Sequence, residues 1–138
     1  MKKFNLAILI VALLAGCTLI TDYTANHEFS SFIDNDVQLK EQVLVCNETP
    51  LKSKSGESID YELVFNINHV RKCFFGETVS VLPPGTALNI KRVEKHSIYS
   101  VKNIEYIYFI GSTVTPNGKP IEFYYNYGAV GYHENQPW

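Results

Sequence analysis

Apolar and polar residues alternate with a period of two along most of this chain, and that pattern predicts strands. The clearest case places Ile59, Tyr61, Leu63 and Phe65 on one face and Asp60, Glu62 and Asn66 on the other, as in a strand with one buried side. Upstream, Val37 and Leu39 alternate with Gln38 and Lys40, and Val43-Leu44-Val45-Cys46 forms a more buried run. Asn47 to Ser58, rich in Ser, Lys and Glu, reads as a loop. Val79–Leu82 and Ala87–Val93 then flank Pro83-Pro84-Gly85-Thr86. Pro84 presets φ for a β-turn and Gly85 supplies the positive φ that a type II turn needs next. The apolar phase slips after Ile90, which predicts a bulge. Ile98 to Ile110 is strongly β-prone, with Ile104, Tyr106, Tyr108 and Ile110 sharing a face. Thr115-Pro116-Asn117-Gly118-Lys119 predicts a hairpin loop with Gly118 in the left-handed position. The returning strand, residues 121–127, alternates Ile121, Phe123, Tyr125 and Tyr127 against Glu122, Tyr124 and Asn126. Gly128 to Trp138 reads as irregular. No helical period of useful length follows residue 35, so the expected class is all-β, a small barrel or sandwich of six to seven strands.

The N-terminus carries a different pattern. Lys2 and Lys3 precede an apolar core from Phe4 to Leu14, and Leu14-Ala15-Gly16-Cys17 ends it. About eleven apolar residues suit an export signal and fall short of the roughly 20 that a membrane span needs. The order Leu-Ala-Gly-Cys resembles the bacterial lipobox. That resemblance implies cleavage before Cys17, a diacylglycerol on its sulfur, and a removed signal helix at residues 1–16. Residues 17–35 then read as the lipidated cysteine and a tether, and residues 36–138 as a single β-rich domain. Within the tether, His27 to Ile33 has Phe29, Phe32 and Ile33 at helical spacing, a turn facing the domain. The residue after the cysteine is Thr18 rather than Asp, which by the same resemblance implies the outer membrane, periplasmic face, with surface display left open. Separately, Leu82-Pro83-Pro84-Gly85-Thr86 and the alternating strand after it resemble the turn and strand of small bacterial SH3-like barrels, over about a dozen residues.

Charge and cysteines narrow the picture. Without Lys2 and Lys3 the chain holds fourteen acidic against ten basic residues, and no basic run exceeds two. A nucleic-acid partner needs a concentrated basic face and is not expected. With Cys17 taken by lipid, Cys46 and Cys73 form an even pair in an oxidising compartment, which predicts a disulfide. The loop it closes, about 28 residues, corresponds to roughly 3.5 kcal/mol of chain-entropy stabilisation. Neither cysteine sits in a metal-ligand spacing, so neither metal nor cofactor is expected.

An enzyme would need a constellation of catalytic residues. His27, His69, His96 and His133 are dispersed, and the chain has no HExxH, Gly-x-Ser-x-Gly or phosphate-cradling loop. The expectation is a protein without catalysis. Aromatics crowd the last forty residues, and two readings stay open for them: strand packing, or a surface for sugar rings or a protein partner. On the second reading Tyr124, Tyr125, Tyr127 and Trp138 are the candidate partner-binding residues, with Tyr124 exposed beside Glu122 and Asn126. Lys91, Arg92, Lys95 and His96 read as a solvated strand edge. The expected function is a lipid-anchored periplasmic accessory module that contacts an envelope protein or peptidoglycan. The alternative is an inhibitor or immunity lipoprotein that blocks a cell-wall or envelope hydrolase, through a protruding loop at Asn47–Ser58 or Pro116–Gly118.

Overall fold

The computed structural model describes residues 17–65, 72–99, 103–129, 132–133 and 137–138, so the signal segment 1–16 lies outside the described residues. The fold is all-β. The strands are β1 (Cys17–Asp22), β2 (Asp36–Gln38), β3 (Val43–Lys52), β4 (Ser58–Phe65), β5 (Glu77–Leu82), β6 (Ala87–Tyr99), β7 (Ile104–Val114), β8 (Pro120–Ala129) and β9 (Tyr132–His133). They pair into one mixed sheet in the order β1-β6-β7-β8-β4-β3-β5, with β2 also on β6 and β9 on β8.

Two antiparallel halves are joined by a parallel pair, β4 with β8, whose register covers only Tyr61↔Phe123 and Glu62↔Tyr124. One core cluster takes Leu82 from β5, Leu88 and Val93 from β6, Phe109 from β7 and Val45 from β3. Strands far apart in the order share that core, so the sheet coils around it. At its centre Phe109 meets Phe29, Tyr127 and Trp138 edge-on, at 5.4, 5.2 and 5.4 Å between centroids.

The local turn chemistry is as expected. Gly85 has φ +85° and the Thr86 amide donates to Pro83 at 3.2 Å. Gly118 has φ +83° and its amide donates to Thr115 at 2.8 Å. The register of β6 shifts between Ile90 and Arg92, at the phase slip. The Pro83–Thr86 turn is a corner rather than a hairpin, because β5 pairs with β3 while β6 pairs with β7, β1 and β2.

Three expectations are corrected. Residues 17–35 are not a tether, since β1 pairs with β6 from Cys17↔Tyr99 to Asp22↔Glu94. The turn expected there is nonetheless present at Ser30–Phe32, with Phe29 buried and Phe32 and Ile33 packed on the core. The thirteen-residue β6 has a long edge whose amides and carbonyls need partners, and β-branched Thr18, Ile20 and Thr21 suit that role. Asn47–Ser58 is not a loose loop, because β3 runs on to Lys52 and pairs back onto Ser58 across a bulge. Within the β-prone stretch Ile98–Ile110, β6 continues through Tyr99 and β7 begins at Ile104. The C-terminal stretch is not irregular throughout, since β8 reaches Ala129, β9 follows, and Trp138 is buried in the core.

Candidate functional site

A cleft opens where β4 and β8 part after their two-residue parallel pairing. A hollow of about 300 Å³ is lined by Glu62 to Phe65 of β4, by Tyr125, Asn126, Gly128 and Ala129 of β8, and by Phe74 and Tyr106. A second hollow of about 360 Å³ adjoins it, sharing Glu62, Phe74 and Asn126 and adding Glu48, Phe75, Tyr108 and Tyr124. The linings of both hollows, among the described residues, hold carboxylates and aromatics but no Lys, Arg or His.

The rim is the segment Cys73-Phe74-Phe75-Gly76, and three constraints fix it to β3. Cys73 is joined to Cys46 in a disulfide, the pairing expected from the sequence. The buried Glu48 carboxylate accepts the Phe75 amide at 2.9 Å and the Gly76 amide at 3.1 Å. Gly76 passes so close to Asn47 that a Cβ there would sit 1.6 Å from the Asn47 carbonyl oxygen. The outcome is a pinned segment that leaves Phe74 69% and Phe75 92% exposed. Two phenylalanines are thus held in water on a support fixed by a disulfide and two charge-assisted hydrogen bonds.

At the floor stands Glu62. Burial pushes its carboxyl up to about 7, the Glu48 charge adds to this, and the hydrogen bond from Tyr124 opposes it. The Tyr124 hydroxyl lies 3.4 Å from Glu62 Oε2 and donates to the Thr49 carbonyl at 2.9 Å. Burial first, and the Glu62 charge next, raise the Tyr108 phenol to about 12 and the Tyr124 phenol further still. Both phenols therefore remain hydrogen-bond donors. The cleft offers a carboxyl near its titration point between aromatic walls, suited to a cationic or hydrogen-bond-donating group on an apolar carrier.

The aromatic residues singled out from the sequence are largely buried, and of the four Tyr124 and Tyr125 form part of the walls of the two hollows. Tyr124 is 5%, Tyr125 2% and Trp138 8% exposed, and Tyr127 packs against the core. Tyr124 does occupy the outer face, but the β3–β4 hairpin folds over much of that face, with Leu51, Ile59 and Ile110 in the same cluster. Tyr127 and Trp138 serve the core, while Tyr124 and Tyr125 reach the cleft as parts of its walls. The same folding removes Asn47–Ser58 as a protruding loop, since the Lys54 amide at its tip donates to Glu94 at 3.1 Å.

That tip closes a second polar group. Glu94, 2% exposed, lies 3.0 Å from His96 Nε2 and 3.3 Å from Arg92 Nε, the latter a charge contact rather than an aligned hydrogen bond. Burial pushes the Glu94 carboxyl up, but hydrogen bonds from His96 and the Lys54 amide, with the His96 and Arg92 charges, outweigh this and hold it low. His96 is buried and Arg92 half-buried, not a solvated edge. A histidine and a carboxylate do converge here, and Glu94 is already engaged by three partners. Cys46, Glu48 and Cys73 offer ligand atoms within 4.8 Å of one another, yet both sulfurs are consumed in the disulfide. Cys17 is an exposed free thiol at the first residue of β1.

Comparison with known proteins gives no family model, no curated relative and no solved structure that matches the chain. Sequence reasoning missed Phe74, Phe75, Glu48 and Glu62. One signal was present: two adjacent phenylalanines beside a bridged cysteine cannot both face the core of a strand with period two.

Proposed function

We propose that this protein is a lipid-anchored envelope module, held through Cys17 and acting without catalysis, that binds an envelope protein at the Phe74–Phe75 rim and the cleft beneath it. The occupant fitting this cleft is an apolar segment carrying a basic or hydrogen-bond-donating group toward Glu62, because the lining is aromatic and acidic. The observation that carries the reading is the 92% exposure of Phe75 on a segment fixed by the disulfide, Glu48 and Gly76. Large aromatics on a preorganised support form binding hot spots at low entropic cost. A preorganised, projecting rim also suits the alternative role, an inhibitor or immunity lipoprotein that plugs a hydrolase cleft.

The test places a photo-cross-linking residue at Phe75 and, as a control, at the exposed Val114, in cells processing the full chain. A discrete protein adduct at position 75, absent at 114 and lost on Gly76→Ala, supports the reading. Absence of a protein adduct, with the protein retained on sedimented peptidoglycan, overturns it in favour of a wall ligand. If the captured partner is a wall hydrolase whose activity falls on binding, the inhibitor role replaces the accessory one. Anchoring is tested separately: Cys17→Ser abolishes palmitate labelling and membrane fractionation, and continued labelling refutes the lipobox.

A further inference from the structure

We propose that the end of the sheet carrying Cys17, Leu19, Ile98 and Tyr99 rests on the lipid surface itself, with these side chains at headgroup level. The inference rests on the reading of Cys17 as the lipid-bearing residue. It follows from where that residue stands, since Cys17 is already the first paired position of β1, opposite Tyr99 on β6, and every residue to Asp22 is in register. No slack separates the attachment atom from the folded domain.

Distances then place the neighbours. Paired residues in an antiparallel ladder have Cα atoms about 4.5–5.5 Å apart, which bounds the step from Cys17 to Tyr99. Leu19 lies two residues along the same strand, about 7 Å away, and Ile98 pairs with the intervening Thr18. Acyl chains on the Cys17 sulfur must enter the bilayer, so all three fall within the interfacial layer, about 5–10 Å deep, where amphipathic surfaces lodge.

Their chemistry suits that layer. Leu19 is 54%, Tyr99 47% and Ile98 36% exposed, and tyrosine is favoured at the membrane–water boundary. The acidic neighbour Glu105 lies 3.3 Å from the Lys95 ammonium and accepts the Ser97 hydroxyl at 3.1 Å, which reduces its repulsion from anionic headgroups. The opposite end of β7 and β8 is the polar Thr115–Lys119 loop. Ala129 lines both the β4–β8 cleft and the hollow beside Ile98 and Tyr99, so the cleft adjoins the membrane-facing end. A partner would then be met close to the lipid surface.

The experiment uses the full, processed protein reconstituted into phosphatidylethanolamine–phosphatidylglycerol vesicles. Single substitutions Tyr99→Cys, Leu19→Cys and, as control, Val114→Cys are labelled with an environment-sensitive fluorophore. Val114 lies ten residues along β7 from Ile104, about 34 Å away. The expected result is a blue-shifted emission at positions 99 and 19 that is lost when headgroup-proximal quencher lipids are included, with position 114 unaffected. Flotation and intact mass are read on the same samples. If the protein is acylated and floats but positions 99 and 19 respond like 114, this inference falls and the anchor stands. If it is neither acylated nor floats, both fall.

Discussion

The buried carboxylate of Glu48 accepts the backbone amide of Phe75 at 2.9 Å, so the most exposed large apolar side chain among the described residues is held by an acid that is itself 7% exposed. A strand residue thus sets the position of a rim residue 27 positions later. Glu48→Ala leaves the Phe75 and Gly76 amides without that acceptor and removes charge-assisted bonds, a cost of about 2–3 kcal/mol. The melting temperature should fall and cleavage by protease within 72–76 should rise. Phe75→Ser should leave the melting temperature within about a degree while abolishing capture of the partner by a photo-cross-linking residue placed instead at position 74. If Glu48→Ala melts like the parent, the carboxylate does not support the segment.

Gly76 tests the close approach rather than the acceptor. Its backbone φ is not positive, so alanine is conformationally acceptable there, and it is the Asn47 carbonyl group, carbon as well as oxygen, that forbids the new Cβ. Because the obstacle is backbone, the segment itself must shift and the Glu48 hydrogen bonds lengthen. Gly76→Ala should destabilise by about 1–3 kcal/mol. It should also speed reduction of the Cys46–Cys73 disulfide by dithiothreitol. Unchanged reduction kinetics would argue that the approach is looser than described.

Gly118 is the opposite case. Its φ is +83° and nothing lies within 4 Å of the point where a Cβ would stand, so the strain of substitution is conformational, with no clash. Gly118→Val forces a β-branched residue into the left-handed region, at a cost of about 1–2 kcal/mol or more, and should lower the melting temperature by several degrees. Gly118→Asn should cost clearly less, since asparagine tolerates that conformation. Equal losses for the two variants would contradict the left-handed turn.

Which features were legible follows from how local their causes are. Gly85 and Gly118 declare their turns through residues one or two positions away. The alternation of Leu63 and Phe65 declares a half-buried strand, and both lie in the core. Ile59 shares their sequence phase, yet it joins Ile110 and Tyr124 in the cluster under the folded hairpin. β1 was illegible because its partner on β6 is more than seventy residues distant, and six residues of mixed polarity carry no trace of that pairing. Alternation along β8 puts Tyr124 on the outer face, where the structure also has it. Its burial depends on a hairpin folding over that face, which period-two reasoning treats as solvent. The rim is non-local twice over, through the disulfide and through Glu48, so only the cysteine pair was visible in advance.

Glu62 gives the fold a distinctive dependence on pH. Its folded carboxyl titrates at about 7, against an ordinary value of 4.5, chiefly through burial and then through the Glu48 charge. Below about pH 4.5 the group is neutral in both states and contributes nothing. Between 4.5 and 7 the unfolded chain gives up the proton while the folded one keeps it, so stability falls as pH rises and levels off above 7. The whole step corresponds to at most about 3.4 kcal/mol, and solvent screening of this partly exposed group makes it smaller. Glu94 and Asp22 act in the reverse sense. Burial raises the Glu94 carboxyl, but the His96 and Lys54 contacts outweigh it, and hydrogen bonds from Thr24 hold Asp22 low. Their stabilisation is present above the ordinary carboxylate range and is lost as acid protonates them. Stability should therefore peak in weakly acidic solution. Urea unfolding from about pH 5 to 8 should show a declining midpoint for the parent and a flattened profile for Glu62→Gln, which keeps the shape and removes the charge. Parallel profiles for the two proteins would show that Glu62 ionises in the fold as freely as it does in water.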